Sequence, residues 1–247
     1  MRIALLADIH ANLEALEACL AHARPKGAER FAFLGDLVGY GADPTAVLEI
    51  VAPRAAQGEI VVKGNHDEAI ASQRFYSNDS VAAVIEWTRE RLSAPHREFL
   101  EALPLLVRDG GACYVHASAA APQRWEYIDS PREAARSMGA AGEAYTFSGH
   151  VHEQVLFSVG PGDKPLRFRP EPGVAIPVGA HRRWLVLPGS VGQPRDGNPA
   201  SGYALVDFER GGTVTFHRVP YDHYRAAAKV RAAGLPELLA YRLERGV

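Results

Sequence analysis

RIALLADIH, residues 2–10, places five apolar residues in a row before a carboxylate and an imidazole. The segment that follows, ANLEALEACLAHA, repeats Leu13, Leu16 and Leu20 at helical spacing, so the pattern predicts a buried strand, a turn and a helix. RFAFLGD (30–36) repeats the arrangement. After a glycine-punctuated loop, Pro44 stands where a first-turn proline starts a helix running through Val47, Leu48 and Val51. EIVVKGNHD (59–67) predicts a third strand. Strands separated by helices pair in parallel through right-handed crossovers, which puts the loops after these three strands at one carboxyl edge of one sheet. That edge is where a site is expected.

Beyond it, residues 78–103 read as helices (VAAVIEWTRERL, then PHREFLEAL) that flank or cover the sheet. From residue 104 the pattern changes to LLVRD, ACYVH, YTFSG, QVLFSVG, RWLVLPGS, YALVDFE and TVTFHRV, with Gly110-Gly111 and Gly211-Gly212 as tight turns. This predicts a mostly antiparallel half. The Pro- and Gly-containing stretch from Gly160 to Gly179 is expected to be a surface excursion, and Tyr221 to Val247 a terminal helix. With 247 residues and no repeat, low-complexity tract or linker, residues 1–247 are expected to form a single domain.

A net charge of -2 without a dense basic run argues against a bulk electrostatic grip on nucleic acid or an anionic membrane. An anionic substrate must then be held locally. MRIALLADIH lacks the regions of a signal peptide, and no apolar run is long enough to span a bilayer, so a cytoplasmic protein is expected. Cys19 and Cys113 form neither a CxxC nor a disulfide framework and read as buried apolar residues.

Asp8 and His10 follow the first strand, Asp36 the second, Asn65 and His66 the third, His116 ends ACYVH, and His150 and His152 follow YTFSG. All stand just past expected strands and would converge on one rim. Carboxylate, carboxamide and imidazole without thiolate suit Mn, Fe, Zn, Co or Ni. The set is too large for one catalytic ion, and two divalent ions roughly 3.5–4 Å apart form the general clamp for in-line displacement at phosphorus.

In context, DIH (8–10), GDLVGYG (35–41), GNHD (64–67), VHAS (115–118) and GHVH (149–152) resemble the five ordered signatures of the calcineurin-like metallophosphoesterases. The likeness covers roughly the first 152 residues. It implies an α/β fold, a four-layer α/β/β/α sandwich of two mixed sheets. It also implies Asp8, His10 and His152 on one ion, Asn65, His116 and His150 on the other, Asp36 bridging them, and a bridging hydroxide as nucleophile. His66 would be a catalytic non-ligand that supports the transition state or protonates the leaving oxygen. Where the protein-phosphatase and diadenosine-tetraphosphatase branches carry GDxVDRG, this chain has Gly39 and Tyr40. It therefore resembles the small prokaryotic phosphodiesterases more closely, as does LPGSVGQPRDGNP (187–199). Losing that arginine favours a small monoanionic diester, possibly nucleotide-like, over a phosphomonoester. A broad phosphomonoesterase and a noncatalytic scaffold, like vacuolar sorting protein 29 of retromer, are the alternatives, and a nuclease ranks low.

Asn12 is expected to touch substrate phosphate or to cap the first helix. Arg195 is expected to meet a diester oxygen with its planar donors or to be a solvated loop residue. Asp43 reads as a cap, and Tyr40 as a lining or packing residue. Gly35, Gly64 and Gly149 read as positions of unusual torsion or close approach.

Overall fold

The computed structural model describes residues 1–72, 79–209 and 211–247. In chain order its strands are β1 (Arg2–Leu6), β2 (Arg30–Phe33), β3 (Ile60–Val61), β4 (Leu106–Asp109), β5 (Ala112–Val115), β6 (Tyr145–Phe147), β7 (Gln154–Val159), β8 (Leu166–Phe168), β9 (Ala175–Pro177), β10 (Arg183–Pro188), β11 (Ser201–Asp207) and β12 (Thr213–Val219). The helices are α1 (Leu13–Ala23), α2 (Pro44–Ala56), α3 (Asn65–Ser72), α4 (Asp79–Arg91), α5 (Ala94–Ala102), α6 (Pro131–Ala141), α7 (His223–Ala232) and α8 (Glu237–Arg245).

The strands form two mixed six-stranded sheets, ordered β3-β2-β1-β11-β12-β9 and β4-β5-β6-β10-β7-β8. The first three strands pair in parallel as their crossovers require, with Ile3 opposite Arg30 and Ala32 opposite Ile60. Their side chains alternate between two apolar environments. Ile3 and Leu5 of β1 face the second sheet, where Phe147, Tyr114 and Trp184 wait, whereas Ala4 and Leu6 face α1 and α2 through Leu16 and Leu48. In the second sheet Trp184 and Val186 point inward, and Leu185 and Leu187 lie under Ala134 and Met138 of α6. Because both faces of each sheet are covered, the strands are continuous apolar runs rather than alternating ones. The order of layers, helices, sheet, sheet and helix, is the expected α/β/β/α sandwich.

Local differences have physical causes. β3 has only two strand residues because GNHD turns at once into α3. The helices expected from residue 78 are α4 and α5, and residue 78 lies outside the described residues. The excursion at 160–179 is mostly exposed, yet it supplies β8 and β9, one edge strand of each sheet. The tail is two helices rather than one, broken where Gly234 takes φ 70° ahead of Pro236. Most of the later pairings are antiparallel as expected, but β5, β6 and β10 run parallel. The crossover between β5 and β6 is α6, a helix without counterpart in the sequence expectations.

Candidate metal centre

The loops after the central strands are laced together at one edge. Asp8 N–H donates to the Gly35 carbonyl, His10 N–H to Asp36, Ala11 N–H to Leu37, and Gly149 N–H to His116, at 2.9–3.1 Å. A further loop after β10 joins them through Val191 N–H to Ala7 and Gly192 N–H to Asp8. Asp8, His10, Asp36, His150 and His152 all have left-handed backbone, with φ between 49° and 72°. L-residues avoid this region because Cβ crowds the backbone, at a cost of roughly 1–2 kcal/mol each. Held there, each chain reverses sharply and sends its side chain into the edge instead of along the strand.

The structure brings together all eight expected residues, and seven have donor atoms within tight groups. Asp8, His10 and His152 form one group whose donor atoms lie within 4.8 Å of one another, and Asp36, His116 and His150 form a second. Asp36 joins them: its Oδ2 is 3.7 Å from His10 Nε2 and 3.4 Å from His116 Nε2. Its other oxygen accepts the His66 N–H at 2.9 Å, which fixes the carboxylate's rotation. Asp8 is oriented by the His150 N–H at 3.0 Å. Asn65 Oδ1 lies 3.1 Å from His116 Nε2, on the side of the second group. His66 forms a third group with His10 and Asp36, so distance alone does not separate it from the others.

Backbone carbonyls select the tautomers. His116 Nδ1 donates to Leu34 at 2.8 Å and His152 Nδ1 to Gln193 at 2.6 Å, so in each ring Nε2 is the nitrogen turned to the centre. There the nitrogens face one another, His10 Nε2 3.2 Å from His152 Nε2 and His116 Nε2 3.1 Å from His150 Nδ1. At most one proton fits between the nitrogens of each pair.

The electrostatics express the same crowding. Burial, with Asp36 adding to it, pushes Asp8 up to about 7 despite His116. Burial alone would raise Asp36 too, but His116 and His66 hold it well below the carboxylate range. Burial drives His10 and His152 well below the usual imidazole value and His150 down to about 3. Only His116 stays cationic, at about 9, because Asp36 outweighs its burial. Buried carboxylates beside inward-facing imidazoles, all but His116 kept neutral by burial, are a donor set fit for divalent cations once His116 gives up its proton. A cation would supply the positive charge that burial denies the imidazoles.

The remaining expected residues divide. Asn12 is 3 % exposed, its Oδ1 accepts the Ala15 N–H at 3.1 Å as the α1 cap, and its amide donates to the Gly192 carbonyl and the Tyr221 hydroxyl. Both its donors serve the fold rather than a phosphate. Arg195 stands at the mouth, its Nη2 donating to Gln193 Oε1 at 3.0 Å, and its charge acts on Asp8, His10, His66 and His152. Asp43 precedes α2 but makes no side-chain cap; it pairs instead with Lys229 of α7 at 2.8 Å. Tyr40 packs against both His10 and His66, with ring centroids 4.5 and 4.3 Å away. A Cβ on Gly39, at φ 88°, would lie 2.6 Å from His66 Nδ1, so this position admits no side chain unless the imidazole moves. At Gly64, which approaches Asp36, a Cβ would overlap the carboxylate.

Sequence reasoning missed Asp67. It is fully buried and accepts the N–H groups of Leu37 at 2.9 Å, Val38 at 3.3 Å and Gly64 at 2.9 Å, tying the second and third loops. Its place in GNHD, beside His66, was the available signal. Trp125 and Tyr127, which approach His116 and His150, carried none, because they lie far from any strand end.

A family model described as a calcineurin-like phosphoesterase superfamily domain matches residues 1–211. The chain is 31 % identical over 98 % of its length to an uncharacterized protein of Methanocaldococcus jannaschii, 96 % of which is covered. The crystal structure of a metallophosphoesterase from Sphaerobacter thermophilus superposes at TM-score 0.89 with 38 % identity, covering 100 % of this chain and 99 % of that one. A hypothetical protein from Pyrococcus horikoshii OT3 has the same fold at TM-score 0.79 and 22 % identity, with 100 % and 98 % covered. No described helix is long and apolar enough to cross a membrane. The match extends well past the five signatures, through both sheets, and this chain belongs to the metal-dependent calcineurin-like phosphoesterase superfamily.

Proposed function

We propose that the protein is a cytoplasmic single-domain enzyme that hydrolyses small phosphodiesters with two divalent cations. In this reading Asp8, His10 and His152 hold one cation, Asn65, His116 and His150 the other, and Asp36 is shared. The observation that carries it is the Asp36 carboxylate, one oxygen of which stands between the ring nitrogens of the two groups. When bound, the cations would supply Lewis-acid stabilisation of phosphoryl charge and an acidified water as nucleophile.

The chain's own residues do the rest. The carbonyls of Leu34 and Gln193 hold His116 and His152 with Nε2 inward. Because His66 Nδ1 abuts Gly39, Nε2 is the nitrogen left to protonate the leaving oxygen. Arg195 offers a planar donor to an equatorial oxygen. Gly39 and Tyr40 leave out the aspartate and arginine of GDxVDRG, and a diester brings one negative charge where a monoester brings two.

Metal-free protein reconstituted with Mn or Ni separates the readings when offered bis(4-nitrophenyl) phosphate and 4-nitrophenyl phosphate. A higher kcat/KM on the diester is expected. Preference for the monoester overturns the diester assignment, and silence with every metal overturns catalysis in favour of a binding scaffold.

A further inference from the structure

Tyr127 follows the short 3-10 turn Pro122–Arg124 and stacks on His150, with ring centroids 4.0 Å apart and planes inclined by 24°. His150 is nearly buried, yet Tyr127 remains 51 % exposed. The tyrosine therefore covers the imidazole with one face and keeps much of its ring in water.

The segment that carries it is held in place from two sides. Trp125 takes left-handed backbone at φ 56°, its indole donates to Glu68 Oε2 of α3 at 3.1 Å, and its ring meets His116 edge-on at 5.9 Å. Glu126, next to Tyr127, is ion-paired with Arg136 of α6. An aromatic ring fixed before a ligand arrives loses little freedom on binding. On the side of the first donor group, Tyr40 packs against His10 and carries the Arg195 guanidinium 6.0 Å from its ring centroid.

We propose that Tyr127 is a specificity-determining residue, offering its uncovered ring surface to a planar aromatic group of the substrate. The site would then favour phosphoesters of nucleosides and aryl alcohols over those of sugars and aliphatic alcohols. This rests on the phosphoester reading above. The stacking partner His150 belongs to one of the two donor groups, so the tyrosine ring stands beside the place where a phosphoryl group would be held. Every nucleobase has a π-face, so such a platform selects for aromaticity without choosing among bases. A tyrosine that merely shields His150 from water predicts something different, because leucine would shield it as well.

Equilibrium binding of AMP and of ribose 5-phosphate to the manganese-loaded protein, followed by calorimetry, distinguishes these roles. The wild type is expected to bind AMP about tenfold more tightly, the size of one base–aromatic stack. Tyr127→Leu should bring the ratio near one, and Tyr127→Phe should restore it. A wild-type ratio near one, or a ratio that survives Tyr127→Leu, overturns the stacking role while leaving the phosphoester reading intact. If neither ligand binds, the platform is overturned, and the phosphoester reading stands or falls separately on turnover of bis(4-nitrophenyl) phosphate.

Discussion

Replacing Asp36 with Asn probes the shared carboxylate directly. The amide keeps the shape and the Oδ1 acceptor for the His66 N–H at 2.9 Å, but removes the charge between His10 and His116. Two effects follow. Without metal, His116 loses the partner that holds it up to about 9. Deleting one partner of a buried pair commonly costs roughly 3–5 kcal/mol. His116 can escape by releasing its proton, however, which limits the loss at pH 7.5 to about 2 kcal/mol. For a chain of this size that lowers Tm by about 4–8 °C. With metal the effect is larger. An ion present at a hundred times its Kd adds about 2.7 kcal/mol, so two ions sharing Asp36 add about 5 kcal/mol, or roughly 10–20 °C. Asp36→Asn should remove most of that gain. Asp8→Asn should remove about half, because Asp8 belongs to one group only. Melting curves with and without Mn, read beside elemental analysis of dialysed protein, give both numbers. If Asp36→Asn keeps full loading and the wild-type thermal gain, the shared-carboxylate reasoning is wrong.

His66→Ala is expected to lower kcat by about 10²–10⁴ with metal content unchanged, and loss of an ion on assay would make His66 a ligand. Gly39→Ala should mimic part of this, because its Cβ would press on His66 Nδ1 at 2.6 Å, and should also cost about 1–2 kcal/mol for φ 88°; unaltered kcat and Tm would refute the contact. His217, stacked on Tyr203 at 4.8 Å, is pushed down to about 4 by burial, then by His22 and Lys26. Because the unfolded chain takes up this proton first, stability falls as pH drops from about 6.5 to 4, by about 1.7 kcal/mol once half is discounted for partial solvation; a His217→Phe variant with the same acid limb in urea titrations would exclude it. Phe147→Ala, in the core between the sheets, should cost roughly 3–5 kcal/mol in denaturant unfolding, and a loss under 1 kcal/mol would show that the sheets can close over the gap.

Much of the first sheet was legible because local chemistry and tertiary placement agree there. The runs ending at Asp8 and Asp36 are apolar on both faces, and their intervening helices leave parallel pairing as the one short connection. The helix α6 was equally open to reading. Ser130 caps it by accepting the Glu133 N–H, Pro131 opens it, and Gly142 closes it in left-handed conformation. The split of the terminal helices was marked as well, by Gly234 and Pro236. The short strands β8 and β9 were not, since Leu166 and Phe168 are exposed and their pairing depends on edges supplied from distant parts of the chain.

The candidate site divides along the same line. Residue identity determined the donor chemistry, because oxygen and imidazole donors without thiolate select a class of cation wherever they meet, and strand-end positions determined that they meet on one rim. Only the tertiary structure decided how they face. Left-handed torsions at Asp8, His10, Asp36, His150 and His152 are disfavoured for those residues in isolation and persist because neighbouring loops hold them through hydrogen bonds. It also decided that Asn12 serves the fold while Tyr127, which no local pattern distinguishes, stands over the centre. A side chain's chemistry is written in one letter, but its direction is the sum of contacts made by residues far away in the chain.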